Sequence, residues 1–275
     1  MADSAVDVHL ITSDPSGFEL IDSFGKGLSI TGVVVPSNRL KTTKTEKVLE
    51  LAYRRNLPVS IHRLHNPFDN SLPSSSAAIS WLYSQIICAT DLDRYSEGVL
   101  NMHGGKIPEY RGANVMHWAI INGEKELGIT WHKMVEEVDA GPIYAEACIP
   151  ISPEMSARDV RRKMIEKGIA SFPCAWENFL DKKARIPDLS VGKRWPPRSA
   201  ADGEIGEYWP EPMVRNIVRA LCPPWPSAYI RTKKGIVPIA GVTLDWQYDS
   251  IPYLTKEGRY IFLVPEVKPP ELSVL

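Results

Sequence analysis

Two rhythms of apolar and polar positions divide the first sixty residues. Residues 6–13 (VDVHLITS) read as a short buried strand. After the Asp14-Pro15-Ser16-Gly17 turn, Phe18, Leu20, Ile21 and Phe24 recur at helical spacing up to Gly25 or Gly27. Residues 28–36 (LSITGVVVP) are rich in β-branched side chains and predict a second strand. An amphipathic helix is expected over 45–56, with Val48, Leu49, Ala52 and Tyr53 on its apolar face, then a third strand over 58–62. Strand, helix, strand, helix, strand predicts a parallel sheet with right-handed crossovers, an α/β fold.

The middle of the chain continues the pattern less regularly. Residues 67–76 (PFDNSLPSSS) form a turn-rich loop whose serines are placed to cap a helix over 77–82. A fourth strand is expected over 83–89 (YSQIICA) and a fifth over 98–102, and ligands in such sheets gather at the carboxyl ends of the strands. Two further strands are expected over 128–134 and 142–151, joined by a loop that carries Asp139. Ser156 and Asp159 make a capping box, after which Val160, Met164, Ile165, Ile169, Phe172 and Trp176 recur at helical spacing, with a kink near Pro173. The aromatics of that helix read as core.

A Pro/Arg-rich connector over 193–199 (KRWPPRS) separates a smaller unit, so the expected domains are 1–190 and 191–275. The smaller unit has a short helix through Met213, Ile217, Val218 and Leu221 and strand candidates over 228–232, 236–244 and 260–264. A small β-barrel or partly open sheet fits.

Composition narrows the function classes. The net charge is −1, and residues 191–275 carry 11 Lys and Arg against 9 Asp and Glu, a balance of +2 that leaves −3 for the remainder. Neither part has the basic footprint of a nucleic-acid-binding module. The cysteines Cys88, Cys148, Cys174 and Cys222 lie far apart without ligand spacing, which points to reduced thiols rather than disulfides or a metal. Without an apolar run of membrane-spanning length or a leader pattern, the expected location is the cytoplasm, with no membrane partner. The first strand–helix turn also lacks the glycines that cradle a dinucleotide.

The chemistry concentrates between residues 100 and 145. Asn101 and His103, two apart on a strand, face the same side. An amide donor beside an imidazole suits acyl transfer, which needs oxyanion stabilisation and proton movement, although taken alone the pair reads more readily as a satisfied polar pair at a sheet edge. Asp139, in Asp139-Ala140-Gly141, is either a turn-forming residue or a carboxylate brought back to the same edge. The stretch from Pro108 to Asn114 reads as a loop entering a helix, where Arg111 either receives a polar substrate or braces the loop. His117, His132 and Lys133 read as packing or surface residues, as does Lys106, which is also placed to meet a phosphate.

In combination these residues resemble the formyltransferase family that uses 10-formyltetrahydrofolate. The matching text is Asn101-x-His103, the run Ile107 to Ala113, Trp118-Ala119-Ile120, Asn122-Gly123-Glu124, Gly128-Ile129-Thr130 and Asp139-Ala140-Gly141. A second match covers Asp202-Gly203-Glu204-Ile205, Asn216 to Leu221 and Pro224-Trp225-Pro226. The resemblance implies a Rossmann-like catalytic domain followed by an OB-like domain. It also implies a triad of Asn101, His103 and Asp139, with 10-formyltetrahydrofolate as cosubstrate and its pterin near Ile86, Ile87, Cys88 and Ala89. Gly104-Gly105-Lys106 departs from the family's usual Pro-Ser-Leu.

Two family branches compete for the acceptor, methionyl-tRNA formyltransferases and enzymes that formylate nucleotide-linked amino sugars. The balanced charge favours the sugar nucleotide, and the glycines and Lys106 permit close approach of a diphosphate. The expected partners are therefore a nucleotide sugar, such as a 4-amino-4,6-dideoxyhexose carrier for surface glycan such as lipopolysaccharide, and folate. The expected substrate-side residues are Lys106, Tyr110, Arg111 and Asn114. A catalytically silent binding protein on the same fold is the alternative of another class, and the oligomeric state, a homodimer included, stays open.

Overall fold

The computed structural model describes residues 5–68 and 71–266. Asp69 and Asn70, in the loop expected over 67–76, lie outside the described residues.

The amino-terminal rhythm folds as its periodicity requires. Strand β1 (Val6–Thr12) leads to helix α1 (Ser16–Phe24), strand β2 (Leu28–Pro36), helix α2 (Thr43–Arg54) and strand β3 (Val59–His62). Thr42 caps α2 by accepting the Thr45 backbone N–H. Val48 and Ala52 are buried, but Tyr53, expected on the same face, is exposed.

Two expectations fail between residues 77 and 89. The predicted helix over 77–82 is strand β4 (Ala77–Trp81), buried at every position and paired in parallel with β1 on one side and β5 (Gly98–His103) on the other. A central parallel strand is apolar on both faces, so it shows no alternation, and a five-residue apolar run looks the same as a piece of buried helix. Ser75 caps nothing; its hydroxyl donates to the carbonyls of Asp7 and Ala77. The predicted strand over 83–89 is a connection instead. It begins at Leu82, whose φ of 49° breaks the extended chain, and enters the short helix α3 (Ala89–Leu92).

The chain continues through β6 (Tyr110–Gly112), α4 (Val115–Ile121), β7 (Glu126–Lys133), β8 (Ile143–Pro150), the long helix α5 (Ala157–Leu180) and β9 (Lys193–Trp195). The main sheet has seven strands in the order β3-β2-β1-β4-β5-β7-β8. It is parallel from β3 to β5, and β7 joins antiparallel to β5, so the sheet is mostly rather than wholly parallel. α5 runs through Pro173 as one helix. Its Phe172 lies 5.2 Å from Trp131 of β7, which stacks at 5.8 Å on Trp81 of β4. All three are fully buried, and each large apolar side chain so placed contributes about 1.5–3 kcal/mol. Gly168 of α5 faces this wall, and a Cβ there would stand 2.8 Å from the Trp81 indole.

Compactness divides the chain into two units that exchange segments, one from residues up to 111, 128–149 and 164–194, the other from 112–127, 150–163 and 195 onward. In the second unit, α6 (Glu211–Ala220) buries Val214, Ile217 and Val218 and leaves Met213, expected on the same face, exposed. It packs on α4 and on an antiparallel sheet of β10 (Ala228–Thr232), β11 (Gly235–Thr243), β13 (Tyr260–Pro265) and β12 (Ile251–Leu254), in that order. β12 had no counterpart in the sequence reading. The half-buried Arg219 of α6 donates to the carbonyls of Ser152 and Met155, satisfying two loop acceptors with one guanidinium.

Candidate active site

The carboxyl end of β5 gathers the polar residues. β5 pairs with β7 so that Asn101 stands opposite His132 and His103 opposite Thr130. Asn101 and His103 therefore project to one side, and His132, on the neighbouring strand, lies within reach of both. The loop after His103 is pinned to β7 because the Thr130 hydroxyl donates to the Gly105 carbonyl at 2.8 Å and accepts the Ile107 N–H at 3.3 Å.

Asp139 returns to the same place on the β7–β8 connection, with a left-handed φ of 52° that an Asp tolerates in a turn. Its Oδ2 lies 3.4 Å from His103 Nδ1 and its Oδ1 lies 3.4 Å from His132 Nε2. One carboxylate thus sits between two imidazoles. Asn101 completes the group, with Nδ2 at 3.0 Å from His132 Nε2. The three expected triad members are brought together, and His132, read from sequence as a packing residue, is a fourth member. The signal for it was its place on a strand two residues beyond Thr130, which becomes informative only once the register with β5 is known.

His103 is buried, and its Nε2 lies 2.5 Å from the Tyr110 carbonyl, which fixes Nε2 as the protonated nitrogen. Burial pushes the imidazole below its ordinary range, opposed by the Asp139 carboxylate and the Tyr110 carbonyl, while His132 adds a smaller downward effect. With Nε2 turned to the Tyr110 carbonyl, Nδ1 is the nitrogen that faces the carboxylate. That pair is arranged to receive a proton.

The substrate-side residues have other partners. Arg111 donates to Glu137 Oε1 at 2.8 Å and so ties β6 to the connection that carries Asp139. Of its two sequence readings, this contact favours the brace. Lys106 is exposed and pairs with Glu109 at 3.3 Å. Tyr110 contributes its carbonyl to His103. Asn114, exposed at the start of α4, accepts the Arg198 backbone N–H at 3.0 Å and so anchors the connector after β9.

Gly104 and Gly128 serve packing. A Cβ on Gly104 would stand 2.6 Å from Met164 Sδ of α5, and one on Gly128 would stand 2.5 Å from Lys106 Cβ.

The residues expected around a pterin also separate. Ile87 is buried in a core cluster with Val34, Ala78 and Val99, whereas Ile86 is 59% exposed. Cys88 donates its thiol to Asp91 Oδ2 at 3.2 Å, and Ala89 opens α3. Asp91 is fully buried and accepts the Phe68 N–H at 2.9 and 3.0 Å, binding the loop after β3 to the loop after β4. Ile86, Ile87 and Cys88 lie on a loop that leads into α3 rather than on a strand, because β4 already fills the central position. Among the described residues, no group of three or more His, Cys, Asp or Glu is placed to hold a metal ion.

A formyl transferase family model matches residues 59–175. Among solved structures, the sugar 3N-formyl transferase WlaRD, determined in the presence of dTDP and 5-N-formyl-THF, matches with a TM-score of 0.72 at 15% identity, covering 96% of this chain and 99% of that one. An N-formyltransferase from Helicobacter canadensis, in complex with folinic acid and dTDP-3-aminofucose, matches with a TM-score of 0.73 at 16% identity, over 95% and 100% of the two chains. A 4-N formyltransferase from Francisella tularensis matches with a TM-score of 0.67 at 16% identity, over 96% and 98%. Residues 59–175 therefore match the formyl transferase family, and the chain has the fold of the N-formyltransferases that it matches along nearly its whole length.

Proposed function

We propose that this protein is an N-formyltransferase that moves a formyl group from 10-formyltetrahydrofolate to the amine of a nucleotide-linked amino sugar. The observation that supports it most is the carboxylate of Asp139 between His103 and His132, with the Asn101 amide beside them at the carboxyl end of β5. The solved relatives with this fold hold folate derivatives and dTDP or a dTDP sugar. Catalysis is assigned to residues 1–190, with 191–275 as the companion domain.

The folate supplies an activated formyl carbon. Asn101 is a donor to the formyl oxygen as it gains negative charge under attack by a neutral amine, and His103 becomes a second donor once its Nε2–H leaves the Tyr110 carbonyl. Asp139 holds His103 in place and takes the proton that the amine releases, and the formyl C–N10 bond breaks as that proton passes to N10 of the departing tetrahydrofolate. Ile86 is the side chain of its loop available to an aromatic ring, with Ile87 and the Asp91 network holding the loop in shape. Lys106, exposed after β5, is the cation assigned to a phosphate.

A net charge of −1 supports small-molecule partners rather than tRNA, and no described helix is long and apolar enough to cross a membrane. The work is assigned to the cytoplasm, in supply of surface glycan. The test is incubation of the purified protein with 10-formyltetrahydrofolate and a panel of dTDP-, UDP- and GDP-linked amino sugars or charged initiator tRNA, with products read by mass spectrometry. A formylated amino sugar is expected. Formylation of tRNA alone overturns the acceptor, and no product with any amine supports a binding protein.

A further inference from the structure

His132 is 1% exposed, and both its ring nitrogens are engaged. Nδ1 lies 3.0 Å from the Lys133 carbonyl oxygen, an acceptor, so Nδ1 carries the hydrogen. In that tautomer Nε2 is the acceptor of the ring, and 3.0 Å away stands Asn101 Nδ2, which is placed to donate to it. This decides which way the Asn101 amide is turned. Were the amide reversed, its oxygen would face the lone pair of Nε2, and two acceptors would meet at a buried site. With the NH2 group held toward His132, one N–H is used and the other remains for a ligand.

We propose that His132 is a positioning residue that sets the amide of Asn101, through a tautomer fixed by the Lys133 carbonyl, so that the second Nδ2–H serves as the oxyanion donor. The proposal rests on the formyl-transfer reading for its catalytic consequence, but the tautomer and the amide orientation stand independently of it. His132 itself touches no substrate; its effect on the reaction passes through Asn101. Asp139 Oδ1, 3.4 Å from the same Nε2, is the rival acceptor, and a proton on Nε2 directed at it would turn the Asn101 oxygen inward instead.

Two measurements separate this from a packing role. In long-range 1H–15N correlation spectra of the 15N-labelled protein without substrate, His132 is expected with Nδ1 protonated and Nε2 bare, and the Asn101 side-chain resonances are expected to move in His132→Met. A proton on Nε2 overturns the proposal and leaves formyl transfer intact.

In steady-state kinetics with 10-formyltetrahydrofolate and the amino sugar that the panel identifies, His132→Met fills the volume without an acceptor and is expected to lower kcat by about 100-fold, with KM values within roughly threefold. His132→Gln, whose Oε1 stands in for Nε2, is expected to recover kcat to within about tenfold of the parent. A folded His132→Gln as impaired as His132→Met, or a His132→Met at full activity, overturns it. If the parent formylates nothing while the tautomer is as stated, the formyl-transfer reading fails and the orientation of Asn101 stands.

Discussion

His103 Nδ1 and Asp139 Oδ2 face each other at 3.4 Å, although 36 residues separate them in the chain and one lies on a strand and the other on a turn. The carboxylate opposes the effect of burial on the imidazole. Replacing it with an amide removes that opposition, so in Asp139→Asn the His103 titration midpoint moves further down, readable by NMR. The same change is expected to lower kcat by about 100- to 1,000-fold, the range of a lost catalytic group that orients or relays a proton.

Arg111 and Glu137 connect β6 to the Asp139 connection, and the arginine is nearly buried while the glutamate is mostly exposed. If the pair braces Asp139, Arg111→Ala and Glu137→Ala lower kcat through one shared contact. A double-mutant cycle on kcat is then expected to show a coupling of about 0.5–1 kcal/mol, the double variant being little worse than Arg111→Ala. Strictly additive effects, with a rise in the sugar-nucleotide KM confined to Arg111→Ala, assign the guanidinium to substrate instead.

Gly141 lies against the Lys133 carbonyl, and an added Cβ would overlap that oxygen. The same oxygen accepts from His132. Gly141→Ala is expected to cost about 1–3 kcal/mol of stability, seen as a lower urea midpoint. It should also lower kcat in the folded protein at low temperature, because the backbone that must move is the one that sets the His132 tautomer.

His117 has no role in the proposed chemistry. Neither ring nitrogen has a hydrogen-bond partner among the described protein groups, and the ring meets Trp225 edge-on at 4.7 Å. Burial, reinforced by the Arg198 charge, lowers its pKa to about 4. The unfolded chain binds a proton near 6.5 while the folded protein does not, so stability is unaffected above that value and falls as the pH drops from about 6.5 to 4. The loss attributable to this residue is up to about 3 kcal/mol, and the stability difference between the parent and His117→Leu should change by that amount over this window in urea titrations. A difference independent of pH argues that the buried ring is solvated.

What was legible in the chain, and what was not, divides by the distance over which the physics acts. The strand at 28–36 was read correctly from its β-branched residues, and the helices α1 and α2 because a repeat of 3.6 positions reports burial on one face. The capping box of Ser156 and Asp159 was likewise local, and the 2.6 Å bond between their side chains is present. Ala77–Trp81 failed because a strand covered on both sides has no polar face to betray its period. Ile86 and Ile87 are adjacent and chemically identical, and only the packing around them puts one in the core and the other in solvent.

The sequence by itself determined the α/β order of elements, the pairing of Asn101 with His103 on one strand face, and the presence of an acidic turn residue at 139. Tertiary structure alone decided that β7 runs antiparallel beside β5, which sets His132 against Asn101 across a gap of 31 positions. No periodicity encodes a contact between strands whose register is fixed by the whole sheet. The candidate triad was therefore visible in the chain, and the residue that orients it was not.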